Sequence, residues 1–125
     1  MIAADTSTWI AYLQGAPGSD TDLLEQALRD RLLVMIPAVL AELLSDPKIP
    51  SEAEELLRDL PLIEIKPGYW ERTGKLRAKV LASGRRARLG DALIAQTCAD
   101  HGVALLTRDK DFSAFAKAAA LDLLA

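Results

Sequence analysis

The sequence predicts an α/β fold: a mostly parallel sheet with helices against both faces, giving three α/β/α layers. Three observations predict it. Short apolar segments alternate along the chain with longer segments of helical periodicity. Most of those short segments are apolar at consecutive positions, as expected of strands buried on both faces. Half of the 125 residues are hydrophobic and only 5% are aromatic, so Ala and Leu must fill one close-packed core. No internal repeat or low-complexity linker divides the chain, and residues 1–125 read as a single domain.

Ile2-Ala3-Ala4 reads as a first strand, ending at Asp5. Thr6 to Gln14 carries Trp9, Ile10 and Leu13 at helical spacing and stops at Gly15-Ala16-Pro17-Gly18. Ser19 or Asp20 can cap a second helix over Thr21 to Arg29. Leu32 to Ile36 is a second strand. Pro37 suits the first turn of a helix through Glu42 to Leu44, which Asp46-Pro47 ends. Ser51 opens a helix reaching Asp59, and Leu62 to Ile65 is a third strand. A long helix runs from Tyr69 to Leu81 and stops near Ser83-Gly84; the next spans Leu89 to His101, with Gly102 placed to end it. Val103 to Leu106 is a fourth strand, Thr107 to Asp111 a polar turn, and Phe112 to Ala119 a short helix. Leu121 to Leu124 reads as an edge strand.

No apolar run is free of charge for long enough to span a bilayer, and the N-terminus lacks the pattern of a signal peptide. Cys98 is the only cysteine, which excludes an internal disulfide. The expectation is a soluble, cytoplasmic protein without a membrane partner. Net charge is −3, so bulk electrostatics does not announce a nucleic-acid binder. The average hides a basic segment, however: Arg72, Lys75, Arg77, Lys79, Arg85, Arg86 and Arg88 follow one another with no acid between them. Each of these cations could equally be part of a solvated helix face.

Ligands of a parallel sheet bind beyond the carboxyl ends of its strands. Asp5 closes the first strand and Asp109 follows the fourth. Glu42 lies on the helix after the second strand, and Asp91 opens the helix before the fourth. Each has a structural alternative: Asp5 as a helix cap, Glu42 as a solvated residue away from Val39, Leu40, Leu43 and Leu44, and Asp109 as a turn residue. Asp111 is well placed to cap the helix at Phe112. Asp91 is the most telling, because it shares a face with Ile94, Ala95 and Cys98, where a carboxylate needs a partner. Four carboxylates on one rim would repel each other without a counterion, and Mg²⁺ is the hard, oxygen-preferring answer. One Cys and one His (Cys98 and His101) argue against a structural zinc site. No GxGxxG or P-loop pattern is present, and His101 reads as a helix C-terminal residue.

The segments Asp5-Thr6-Ser7, Pro37-Ala38-Val39-Leu40-Ala41-Glu42-Leu43, Gly90-Asp91-Ala92-Leu93-Ile94-Ala95 and Leu105-Leu106-Thr107-Arg108-Asp109-Lys110-Asp111-Phe112, in this order, resemble those of PIN-domain proteins, specifically toxins of VapBC-type toxin–antitoxin pairs. The resemblance covers nearly the whole chain. It implies a five-stranded parallel sheet, Mg²⁺ or Mn²⁺ dependence, endonucleolytic cleavage of RNA, a homodimer and a cognate antitoxin. It makes Asp5, Glu42, Asp91 and Asp109 the acidic quartet, with Asp5, Asp91 and Asp109 as metal ligands. Ser7 and Thr107 match small polar positions near the metal, and Asp111 a position that shares the acidic role in some members.

On this reading Arg72, Lys75, Lys79, Arg85, Arg86 and Arg88 could guide an RNA backbone past the acidic site. A non-catalytic binding module on the same fold is the alternative. A receiver domain is a weaker one, because it needs an acidic pair after the first strand and a Lys after the fifth, and neither is present. Trp9, Tyr12, Leu13, Leu23 and Leu24 could be core, a dimer seam or an antitoxin groove.

Overall fold

The computed structural model describes residues 1–124; Ala125, the last residue of the expected domain, lies outside them. In chain order the elements are β1 (Ile2–Ala4), α1 (Thr6–Leu13), α2 (Ser19–Arg29), α3 (Pro37–Leu44), α4 (Ser51–Asp59), α5 (Tyr69–Ala82), α6 (Leu89–His101), β2 (Ala104–Leu106), α7 (Phe112–Ala119) and β3 (Leu123–Leu124). The strands form a parallel sheet in the order β1-β2-β3, with Ile2 opposite Ala104 and Leu105 opposite Leu123. Ala3, Ala4, Leu105 and Leu106 are all buried. Neighbouring residues of a strand point to opposite faces, so both faces of the sheet are covered.

Among the described residues, the expected five strands reduce to three. The segments read as the second and third strands join by single parallel bridges, Ile2 to Leu33 and Met35 to Leu62. The Ile2 N–H donates to Leu32 and its carbonyl accepts from Val34, both at 2.9 Å; Met35 donates to Pro61 at 2.7 Å and accepts from Ile63 at 2.9 Å. Two prolines explain why pairing stops there. Pro37 starts α3 directly after Ile36, and Pro61 has no N–H to extend the ladder.

The helices gather into two packed groups, α5 with α6 and α7, and α1 with α2 and α3, which meet where α3 touches α6. α2 begins earlier than expected: Gly18 occupies the cap position, with no side-chain cap bond, and Ser19 is already helical. Gly102 closes α6 at φ +61°, as its position suggested. The core includes Trp9, Phe112, Phe115, Leu57 and Ile94. Ile94 is 2% exposed, so Ile94→Val is expected to lower stability by about 1 kcal/mol in urea unfolding with an unchanged slope.

β1 and β2 run side by side and end together, at Ala4 and Leu106. α6 leads into β2, so its first turn lies at the end of the sheet where those strands finish. The fold thereby brings residues 5, 91 and 107–109 to one rim.

Candidate active site

Asp5 sits directly after β1, and its N–H donates to the Leu106 carbonyl at 2.9 Å, extending the β1–β2 ladder. Its carboxylate caps α1, with Oδ1 accepting from the Thr8 N–H at 3.1 Å and from the Ser7 hydroxyl at 2.7 Å. Oδ2 accepts from the Thr107 hydroxyl at 2.7 Å. The cap and the site therefore use the same side chain. Asp5 is 3% exposed, and burial raises its pKa above the usual carboxylate value against the pull of the Ser7, Thr107 and Thr8 donors. Repulsion from Asp109 adds to the rise.

Thr107 ties the next acid to the first. Its hydroxyl oxygen accepts from the Asp109 N–H at 3.0 Å while its proton goes to Asp5. Asp109 in turn accepts the Asp111 N–H on Oδ1 at 2.9 Å. Asp111 occupies the cap position of α7 without making a side-chain cap bond, contrary to the capping expectation.

Asp91 lies in the first turn of α6, on the face that buries Ile94, Ala95 and Cys98, as its spacing required. Its Oδ2 is buried and has no hydrogen-bond partner. Burial, together with the charges of Asp109, Asp5 and Glu42, pushes its pKa up to about 6, and Arg88 opposes them only in part. A half-buried carboxylate with one buried, unpartnered oxygen among three other acids is a group in need of a cation.

Glu42 is exposed, as its helical position indicated. It is nevertheless held toward the rim. The Thr6 hydroxyl donates to its Oε1 at 2.8 Å, and a Cβ on Gly90 would stand 3.9 Å from its Oε2. All four predicted acids thus influence one region. Among the described residues, no three Asp, Glu, Cys or His side chains are arranged to hold an ion by themselves. The donors are all oxygens and one is orphaned, which fits a hard divalent ion that keeps several of its waters.

A second network lies behind this rim, and sequence reasoning missed it. Asp20 is 4% exposed and accepts two bonds from Arg108, Nε at 2.8 Å and Nη2 at 2.7 Å, and a third from the Thr8 hydroxyl at 2.9 Å. Arg108 holds the Asp20 carboxyl down at about pKa 2, against the opposing effect of burial. Gly18 leaves room for this pair: at φ +156°, a Cβ there would lie 2.6 Å from Asp20 and 2.7 Å from Arg108. Asp20 is therefore an anchor for the loop that carries Thr107 and Asp109, and not the helix cap expected. One signal could have revealed it, since Asp20 shares the buried face of Leu24 and Ala27.

The basic segment divides. Arg72 forms a bidentate pair with Asp100, Nε at 3.0 Å and Nη2 at 2.6 Å. Asp100 lies nine residues from Asp91 along α6, roughly 13 Å along the helix axis. Arg77 donates to the Ala87 carbonyl at 2.8 Å and holds the loop before α6. Lys75, Lys79, Arg85, Arg86 and Arg88 are exposed, and of these Arg88 acts on Asp91.

Of the apolar residues near the N-terminus, Trp9 and Leu24 are core while Leu13 and Leu23 are exposed. Beside Glu42 a groove of about 500 Å³ is walled by Ile10, Leu13, Leu43 and Ile49. Cys98 is buried as a free thiol whose pKa burial raises to about 12, so it is not a nucleophile. Among the described residues no helix is long and apolar enough to cross a membrane.

A family model described as PIN domain matches residues 2–118. Solved structures share the fold. The VapBC2 structure from Rickettsia felis, bound to a DNA fragment from its promoter, matches at TM-score 0.76 and 23% identity, over 99% of this chain and 98% of that one. FitAcB from Neisseria gonorrhoeae matches at 0.68 and 20%, over 100% and 97%. VapBC-5 from Mycobacterium tuberculosis, a member of the VapBC family of toxin–antitoxin systems, matches at 0.66 and 20%, over 98% and 96%. No curated protein sequence matches significantly.

Proposed function

This chain belongs to the PIN-domain family, and we propose on that premise that it is a metal-dependent endoribonuclease acting as the toxin of a VapBC-type toxin–antitoxin pair. The observation that carries the reading is the orphaned Oδ2 of Asp91, buried among the charges of Asp5, Asp109 and Glu42. Asp5, Asp91 and Asp109 would hold Mg²⁺ or Mn²⁺, directly or through water. When bound, such an ion supplies an acidified water and neutralises charge developing on a phosphodiester.

The chain's own residues prepare the rest. Ser7 and Thr107 fix both oxygens of Asp5, and Thr107 sets Asp109 by its backbone. Thr6 holds Glu42 where it can orient a water or complete the ion's shell. Asp111 supports the loop through its N–H bond to Asp109. Arg88, with Arg85 and Arg86 exposed beside it, would draw the RNA backbone toward an acidic rim that otherwise repels it. Arg72, committed to Asp100, has a structural role instead. A cytoplasmic homodimer held in check by an antitoxin completes the proposal, and the apolar groove beside Glu42 offers that partner a surface next to the site.

The test is incubation of defined RNAs with Mg²⁺ or Mn²⁺, wild type beside Asp5→Asn. Asn caps a helix as well as Asp, so the variant is expected to fold and to lose cleavage, and EDTA should silence the wild type. Full activity of the variant, or of wild type in excess EDTA, overturns the reading. A second reading, a binding module without catalysis, draws support from the lack of three acids set to hold one ion among the described residues. It predicts no stabilisation by either metal.

A further inference from the structure

A groove of about 500 Å³ lies between the end of α5 and α7. Lys79, Arg85 and Lys117 line it with Ser83 over a floor of Val80 and Ala114, and no acid contributes. In a chain with net charge −3, three cations converging without an acid form a local exception. The placement follows from helix geometry. Lys79 lies in the last turn of α5 with Ser83, its C-cap, one turn on, and Ala114 and Lys117 are one turn apart on α7, so two helix faces open on one space.

Two stretches of chain link the walls of the groove to the carboxylate rim. α7 starts directly after the Asp109 loop, and Phe112 donates to the Asp109 carbonyl at 3.3 Å. From Arg85, three residues lead to Arg88, whose charge reaches Asp91. That loop is held by the Arg77 bond to Ala87 and by the Arg85 N–H on the Val80 carbonyl. Arg85, Arg86 and Arg88 are exposed along this second stretch.

We infer that the α5–α7 groove is a second phosphate-binding subsite, which grips the backbone of a single RNA strand whose scissile phosphate lies at the carboxylate rim. The inference rests on the nuclease reading above and adds Lys117 and the groove to it. A polyanion with evenly spaced charges suits both the cation cluster and these exposed arginines. An acidic peptide is the competing occupant.

The experiment uses the non-cleaving Asp5→Asn protein and a labelled single-stranded dodecanucleotide, with affinity measured against salt concentration. Adding Lys79→Ala, Arg85→Ala and Lys117→Ala is expected to weaken binding at least about tenfold at low salt. The slope of log affinity against log salt should fall by about 2, at roughly 0.7 for each lost contact. A dinucleotide should lose less than the dodecanucleotide. Lys48→Ala, on an exposed lysine outside the groove, should change neither affinity nor slope, and melting curves should show the triple variant folded. RNA binding that survives the triple change with its slope intact overturns the groove and leaves the nuclease reading standing. Loss of poly-glutamate binding with RNA binding unaffected overturns it in favour of the peptide. Absence of RNA binding with and without the triple change overturns the inference together with the reading beneath it.

Discussion

Asp91→Asn is expected to make the metal-free protein more stable at pH 8 and, in the same molecule, to abolish RNA cleavage. Burial and the neighbouring acids hold the Asp91 pKa near about 6, above the ordinary 3.8. The folded state therefore binds this proton more tightly than the unfolded chain does. The carboxyl's favourable contribution is complete below about pH 4 and is lost as pH rises through about 6. Above that, the wild type carries a charge with an unpaired oxygen, and Asn removes the charge while adding an amide donor among carboxylates. Thermal melts should thus show the variant gaining on wild type between pH 4 and 6, with a constant advantage of several degrees beyond. Mg²⁺ or Mn²⁺ should raise the wild-type midpoint and leave that of the variant nearly unchanged. A variant less stable than wild type at pH 8 without metal would show that Asp91 already has a sufficient partner within the fold.

Arg108→Ala is expected to lower the thermal midpoint of the protein, because it leaves a buried carboxylate with only the Thr8 hydroxyl from a side chain. Solvent screening moderates the loss, since the Arg108 side chain is 38% exposed. The companion variant Arg108→Met with Asp20→Asn should recover much of the loss, because it removes the charge as well as its partner. The pH dependence has the opposite sign to that of Asp91. Asp20 is held near about 2, below its usual 3.8, so the pair's contribution is present above about pH 4 and lost as pH falls through about 2. Acid titration of unfolding should find that Arg108→Ala flattens this part of the profile. The backbone N–H of Arg108, which the Ala variant keeps, donates to the Ser7 hydroxyl at 3.4 Å, but without the Asp20 pair the loop carrying Thr107 and Asp109 loses its side-chain anchor. Cleavage by the Ala variant should therefore fall even where the protein remains folded.

Much of the rim was legible in the sequence because strand ends and helix faces are local signals. Asp5 and Asp109 follow apolar strands, and Asp91 stands on a face whose other members must be buried. The same rule applied to Asp20, beside Leu24 and Ala27, would have exposed the buried anchor. A cap reading, equally available at a helix start, hid it. Glu42 was not legible by chemistry alone, because its partner Thr6 lies 36 positions away and its surroundings look solvated. The strands around Leu33 and Leu62 were over-read for a related reason. Apolar content reports burial, whereas ladder length depends on where Pro37 and Pro61 interrupt it. The basic run looked uniform because residues adjacent in sequence are turned to different directions by α5. Only the fold separates Arg72, spent on Asp100, from Arg85 in the α5–α7 groove and Arg88, whose charge reaches Asp91.

The bond from Thr107 to Asp5 joins residues 102 positions apart, and the pair of Arg108 with Asp20 spans 88. During synthesis, Asp5 is made 102 residues before Thr107, and Asp20 88 residues before Arg108. Until then β1 lacks β2, Asp5 lacks the donor on its second oxygen, and the rim lacks its last carboxylate. On the proposed nuclease reading, a nascent chain would therefore be unable to cut the message being read, as would any product truncated before Thr107.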